Sequence, residues 1–203
     1  AAYTLYREKG QVAQANTYLL EAMASPDLPT SSKASTYQGL LQEMKTSERD
    51  KMLDSLEVLL LEMHPADAYV LEALGNRRKA ENKLSEALEL YKKSLSLQPR
   101  NERLLEEVIV NFFETSTNYE EVAIYTRIGV EEFPESAEFW FYEGVLLSTQ
   151  KKDSLAVQAL ETALRLNAEK NPQLAQVAYS TLGNSLYQLG DQAGAFSNFD
   201  KAL

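Results

Sequence analysis

Between residues 68 and 99 the apolar positions recur at three- and four-residue steps, first Leu71, Leu74 and Gly75, then Ala87, Leu88, Tyr91 and Leu95. A polar break at residues 81–83 separates the two runs. This spacing puts one apolar stripe on each of two helices, and the pair can close on itself as a hairpin. Gly75 and Ala87 are the small members of the two stripes, and small side chains let helix axes come close. Pro99 ends the second helix, because it lacks an amide donor and disfavours helix at the residue before it. A single hairpin buries only one side, so it needs neighbours of its own kind.

The chain repeats the same markers. Gly75 and Gly144 are 69 residues apart, as are Ala87 and Ala156, which is two periods of 34 or 35; Pro99 and Pro134 are 35 apart. Gly144 to Gly183 and Ala156 to Ala195 are each 39, so both markers shift together, and the extra residues fall at 168–172, a hinge between units.

These residues resemble the tetratricopeptide repeat (TPR), whose unit of about 34 residues follows a W-x2-L-G-x2-Y…A-x3-F…A…P pattern. The unit 68–102 matches at Leu74, Gly75, Ala87, Tyr91, Ser94 and Pro99, with Leu71 in the Trp position. Unit 137–175 supplies Trp140, Gly144, Ala156 and Ala163. The incomplete last unit, 176–203, supplies Tyr179, Leu182, Gly183, Gly190, Asp191, Ala195, Phe199 and Ala202. Unit 103–136 departs, with Val110 at the Gly position and Val122 at the Ala position, then Thr126 and Gly129. Two bulkier residues at a close crossing cost about 1–3 kcal/mol if the geometry is kept. The expectation is a register shift that gives the contact to Ala123, with Phe112, Phe113, Tyr119 and Ile124 filling the wider space.

The first third is less regular. Tyr6, Gly10, Ala15, Leu19 and Ala22 fall at the repeat's spacing in a partial unit, 1–29, closed by a Ser25-Pro26-Asp27-Leu28-Pro29 loop. The divergent unit, 34–67, pairs a helix at 32–45, with Tyr37, Leu40, Leu41 and Met44 on one side, with a helix at 47–64 that has no small residue at the crossing. Ser47 with Asp50, and Asn171-Pro172, are expected N-terminal caps. The resemblance implies an all-α, right-handed superhelical solenoid of helical hairpins, forming one domain over residues 1–203. Because the pattern begins and ends within units, a piece of a longer protein is expected.

Composition narrows the chemistry. A net charge of −10 argues against a nucleic-acid backbone as partner, which needs a basic stripe. The clusters Arg77-Arg78-Lys79, Lys92-Lys93 and Lys151-Lys152 lie among acids and read as solvated helix faces. With no cysteine there is no disulfide, thiolate metal site or Cys nucleophile. No run approaches the ~18 apolar residues of a membrane span. His64, the single histidine, precedes Pro65 at a helix end and reads as a cap, with no partner for a triad or a metal site. Glu120 and Glu121 suit the start of a helix; Glu131 and Glu132 lie near the end of one. No phosphate loop, H-E-x-x-H or calcium loop is present, so neither an enzyme nor a cofactor is expected.

The resemblance further implies that the first helix of each hairpin lines a concave groove. Facing it would be Glu72, Ala73 and Asn76; Glu107, Val108 and Asn111; Phe141, Tyr142 and Val145; and Ser180, Thr181 and Asn184. The recurring Asn offers a donor and an acceptor to the main chain of an extended peptide, or is satisfied within the protein. Glu72, Glu107, Phe141 and Ser180 stand where TPR clamps for a C-terminal carboxylate carry Lys and Arg, so no such clamp is expected. Glu72, Glu107, Glu114 and Glu138 instead favour a basic segment. Tyr69, Phe141, Tyr142 and Tyr187 supply aromatic anchors, unless buried between units. The expected function is a non-enzymatic module binding a peptide or helix of a partner protein. The alternative is a spacer or self-association arm using the uncovered apolar face of the last unit.

Overall fold

The computed structural model describes residues 2–115 and 119–203, with the side chains of Ala2, Glu114 and Thr115 outside the description; the expected contribution of Glu114 therefore lies outside the described residues. Twelve α-helices and no strand occur among the described residues, and the helices divide into two compact units, 1–98 and 99–203.

Unit 1 holds α1 (Ala2–Glu8), α2 (Val12–Ala24), α3 (Thr30–Gln42), α4 (Ser47–Met63), α5 (Ala68–Ala80) and α6 (Leu84–Leu97). Consecutive helices pair as hairpins, α2 lies against α4, and α3 and α4 lie against α5. Leu19, Met23, Tyr37, Leu40, Leu53, Leu56, Leu60, Val70 and Leu74 form its core. In the last hairpin a Cβ on Gly75 would overlap the ring of Tyr91 and sit 3.3 Å from the Ala87 carbonyl oxygen. Tyr91 donates its phenol to Asn76 Oδ1 (2.8 Å), and Ser94 donates to the Ala68 carbonyl (2.8 Å), so the hairpin's interior polar groups are paired.

Unit 2 holds α7 (Glu102–Thr115), α8 (Tyr119–Glu132), α9 (Ala137–Thr149), α10 (Asp153–Asn167), α11 (Pro172–Gln188) and α12 (Gln192–Lys201). Here α8 packs on α9, and α9 and α10 pack on α11. A Cβ on Gly144 would stand 2.6 Å from Leu160 Cγ, and one on Gly183 2.5 Å from Phe199 Cε1. All three marker glycines thus press on their sister helices. Trp140 donates its indole N–H to the Pro134 carbonyl (2.9 Å), joining two markers of the repeat.

Four hairpins close by the same turn. Gly10, Asn82, Lys151 and Gly190 take left-handed φ values of 71°, 60°, 58° and 87°. The amide after each reaches back to a carbonyl five residues earlier: Gln11 to Tyr6, Lys83 to Arg78, Lys152 to Leu147 and Asp191 to Leu186, at 2.8–3.0 Å. This closure satisfies carbonyls left open at the helix end.

Several expectations are corrected. Helix α3 stops at Gln42, and Met44 is 84% exposed in the loop that follows. The cause is Arg49, whose Nη1 takes the carbonyls of Leu41 (3.1 Å) and Glu43 (2.8 Å) as the helix releases them. The α4 cap is Thr46, whose Oγ1 accepts from the Arg49 amide, not Ser47. Ala22 is exposed and Met23 fills the core beside it. Val122 keeps its own buried place while Ala123 is only half-buried, so no register shift hands over the contact. Phe112 stacks on Tyr125 across that hairpin, whereas Tyr119 and Ile124 face outward. The small residue there, Gly129, serves the next hairpin instead, receiving the ring of Phe139.

Across residues 168–172, Asn167 Nδ2 donates to the Asn171 carbonyl and its Oδ1 accepts the Asn171 amide, both at 3.0 Å. Asn171 caps α11 ahead of Pro172, as expected. His64 caps α4, its amide donating to the Leu60 carbonyl, and its Nε2 lies 3.0 Å from Nζ of the fully buried Lys33.

Candidate functional site

Arg77 and Arg78 do not form a solvated face. The Arg77 side chain is 11% exposed and bonds Glu57, Asp54, Glu81 and the phenol of Tyr37, while Arg78 bonds Glu57 and pairs with Glu86. Burial pushes the Arg77 guanidinium down, but its bonds to Asp54, Tyr37 and Glu81 more than offset this and hold it above its usual value. The cluster ties α3, α4, α5 and α6 together. Arg at positions facing Glu four residues away was a visible signal for Arg77–Glu81; the link to Glu57 was not, because it joins different helices.

On the first helices of the hairpins the expected groove residues separate into three groups. Ala73 and Val108 are fully buried and Glu72 is only 9% exposed, so these three cannot form an open lining. Helix α5 turns Glu72 and Ala73 inward because Val70, Ala73 and Leu74 are all needed by the core. Tyr69 and Tyr187 are open, at 43% and 52% exposure, and Asn184 is exposed. Glu107, Asn111, Phe141, Tyr142, Val145, Ser180 and Thr181 are half-buried. Of the three Asn residues, Asn76 gives its carbonyl to Tyr91, and Asn111 donates to the Glu107 carbonyl (2.7 Å) and to Glu107 Oε1 (2.8 Å).

The half-buried group gathers in unit 2. Tyr142 donates to Glu106 Oε1 at 3.0 Å, and its ring lies 5.5 Å from Phe141, 6.2 Å from Phe113 and 6.5 Å from Phe139. Burial, then the charge of Glu106, pushes the Tyr142 phenol well above its ordinary value. It therefore stays neutral, a fixed donor in an aromatic cluster. Beside it Glu102, Arg103, Glu106, Ser136, Glu138 and Phe139 line a cavity of about 380 Å³ at the starts of α7 and α9. Three carboxylates face one guanidinium there. Unit 2 as a whole holds eight Lys and Arg against sixteen Asp and Glu, so it carries −8 of the chain's −10. Sequence reading missed Glu102 and Glu106; their recurrence with Glu138 at helix starts was the available signal.

No protein-family model and no curated protein matches the chain. Solved structures do. A MamA structure labelled AMB-1 is similar over 92% of this chain and 89% of its own, with a TM-score of 0.61 and 18% identity. YrrB, described as a TPR protein with an unusual peptide-binding site, aligns over 85% of this chain and 80% of its own, with a TM-score of 0.63 and 16% identity. The fold is that of the tetratricopeptide repeat proteins. PilF of Pseudomonas aeruginosa aligns over 84% of this chain and 73% of its own at 23% identity and a TM-score of 0.56. In the TPR fold the first helices α7, α9 and α11 are the ones that carry the Tyr142 cluster, Asn111, Asn184 and Tyr187. Among the described residues no group of three His, Cys, Asp or Glu side chains is placed to hold a metal ion, and no helix is long and apolar enough to cross a membrane.

Proposed function

We propose that the chain is a protein-interaction module whose unit 2 binds a basic, aromatic-containing segment of a partner protein on the face of α7, α9 and α11. The observation that carries this reading is the cavity edged by Glu102, Glu106 and Glu138 beside the fixed rings of Phe139, Phe141 and Tyr142. A Lys or Arg side chain entering the cavity meets three carboxylates against the single guanidinium of Arg103, and an aromatic neighbour packs on rings already ordered, which lowers the entropic cost of binding. On this reading Glu107 and Asn111, joined to each other, and the exposed Asn184 and Tyr187 are the further residues of the first helices that the segment meets. In unit 1, Tyr69 and the amide of Asn76 offer a smaller contact; Glu72, being buried, is withdrawn from it. YrrB's description as peptide-binding supports the reading by analogy of fold.

The test is binding of a labelled peptide of Arg, Lys and Trp to the whole chain. Binding should weaken about tenfold or more in E102K/E138K and with rising salt. Equal binding by wild type and variant would remove the reading. A second reading, self-association, is favoured by the exposed Val177, Tyr187 and Phe196 of α11 and α12; sedimentation velocity showing only monomer at high concentration would dismiss it.

A further inference from the structure

We propose that unit 1 carries a second binding site of opposite sign, which takes the carboxylate of an acidic, aliphatic-containing segment of a partner protein in the pocket between the α3–α4 loop and the α5–α6 turn. The pocket measures about 430 Å³ and is lined by Leu41, Leu53 and Ala80 below and by Lys45, Arg49, Asp50, Arg77, Glu81 and Lys83 around them. Four cations face two carboxylates, in a chain whose net charge is −10.

The two guanidiniums are fixed and largely matched. Arg49, whose side chain is 11% exposed, spends its donors on the Leu41 and Glu43 carbonyls and on Asp50. Arg77 is matched by Glu81 and, from the far side, by Asp54 and Glu57. The excess positive charge therefore lies on the lysines. Lys83 shares Glu81 with Arg77 (2.9 Å), and Lys45, exposed on the loop, makes no ion pair among the described residues. The exposed Lys45 ammonium, with the Lys83 ammonium beside Glu81, over a rim of paired guanidiniums suits a carboxylate carried on a chain segment. The apolar part of the lining, Leu41, Leu53 and Ala80, adds a requirement that free phosphate does not meet: an aliphatic side chain next to the carboxylate. A space of this size admits one or two side chains, not a folded element. The site shares no residue with the acidic face of unit 2, so the two readings stand or fall separately.

Fluorescence anisotropy of a labelled peptide of alternating Glu and Leu, titrated with the whole chain, tests this, with a Gln–Leu peptide as control. The expected result is binding of the Glu peptide alone, weakened about tenfold in K45E/K83E and by high salt, and unchanged in E102K/E138K. Both lysines are exposed, so the fold should stand; if K45E/K83E melts early, K45Q/K83Q is read instead and should show a smaller loss in the same direction. Equal binding of the two peptides, no binding, or indifference to both lysine pairs overturns the proposal. So does a self-associating chain whose association, rather than peptide binding, is lost in K45E/K83E, since the occupant would then be a second copy.

Discussion

Arg77 Nη1 donates to Glu57 Oε2 at 2.8 Å, joining α5 to α4, the second helix of the preceding hairpin. Arg78 bonds the same half-buried carboxylate, so two arginines from the next hairpin compensate one acid. Removing one partner of such a pair leaves a poorly hydrated charge behind. E57A should destabilise unit 1 by about 2–3 kcal/mol, less than for a fully buried pair because Arg77 keeps Asp54 and Glu81. E57L/R77M should cost less than E57A alone, since no charge is stranded. Urea unfolding of the three proteins decides it.

The same cluster makes stability depend on acid. Burial of Glu81 works to raise its pKa, but bonds from Lys83 and Arg77 outweigh it and hold the carboxyl below its ordinary 4.5. A depressed folded-state pKa contributes stability that is complete above the unfolded value and disappears as pH falls through the folded one. Thermal stability should therefore drop below about pH 4.5, and E81Q should show a shallower drop with lower stability at pH 7. An unchanged acid slope in E81Q would assign the loss to other carboxylates.

The hairpins from residue 68 onward were legible because their evidence is local: Gly, Ala and Pro at fixed intervals, each with a packing reason confined to one pair of helices. Divergence was harder to read. Glu57 looks like a surface residue until Arg77 arrives from another hairpin, and Gly129 looks like a lost marker until Phe139 of the next helix fills its place. On the candidate binding face, the repeat rule put Glu72 and Ala73 in the open, where competition from the core wins them. Tyr142 was named from its position, but its phenol's partner, Glu106, lies 36 residues away and no helical period announces it.

Two glycines in helices separate packing from propensity. Gly183 is held against Phe199 and within 3.1 Å of the Ala195 carbonyl oxygen measured from a built Cβ, whereas a Cβ on Gly39 meets nothing within 4 Å. G183A should destabilise by about 1–3 kcal/mol through forced separation of α11 and α12. G39A, in the exposed interior of α3, should stabilise by about 0.5–1 kcal/mol because alanine loses less backbone freedom on folding. Opposite shifts in melting temperature are expected from one and the same substitution type.

The hairpin turns allow a sharper version of that comparison. Gly10, Asn82, Lys151 and Gly190 occupy equivalent left-handed positions, each followed by the same backward amide bond, so the surroundings differ little from turn to turn. The left-handed region brings a Cβ close to the carbonyl oxygen, at a cost of about 1–2 kcal/mol that glycine avoids and asparagine partly offsets by local bonding. Lys151 bears that cost without the offset, and its side chain is exposed. K151G should therefore stabilise unit 2 by about 1 kcal/mol, net of the greater freedom glycine has in the unfolded chain. N82G should gain less than K151G, and G190A should lose about 1 kcal/mol. Chemical denaturation gives the order directly: if K151G fails to exceed N82G, side-chain strain is not what distinguishes these turns, and the shared amide bond alone sets their stability.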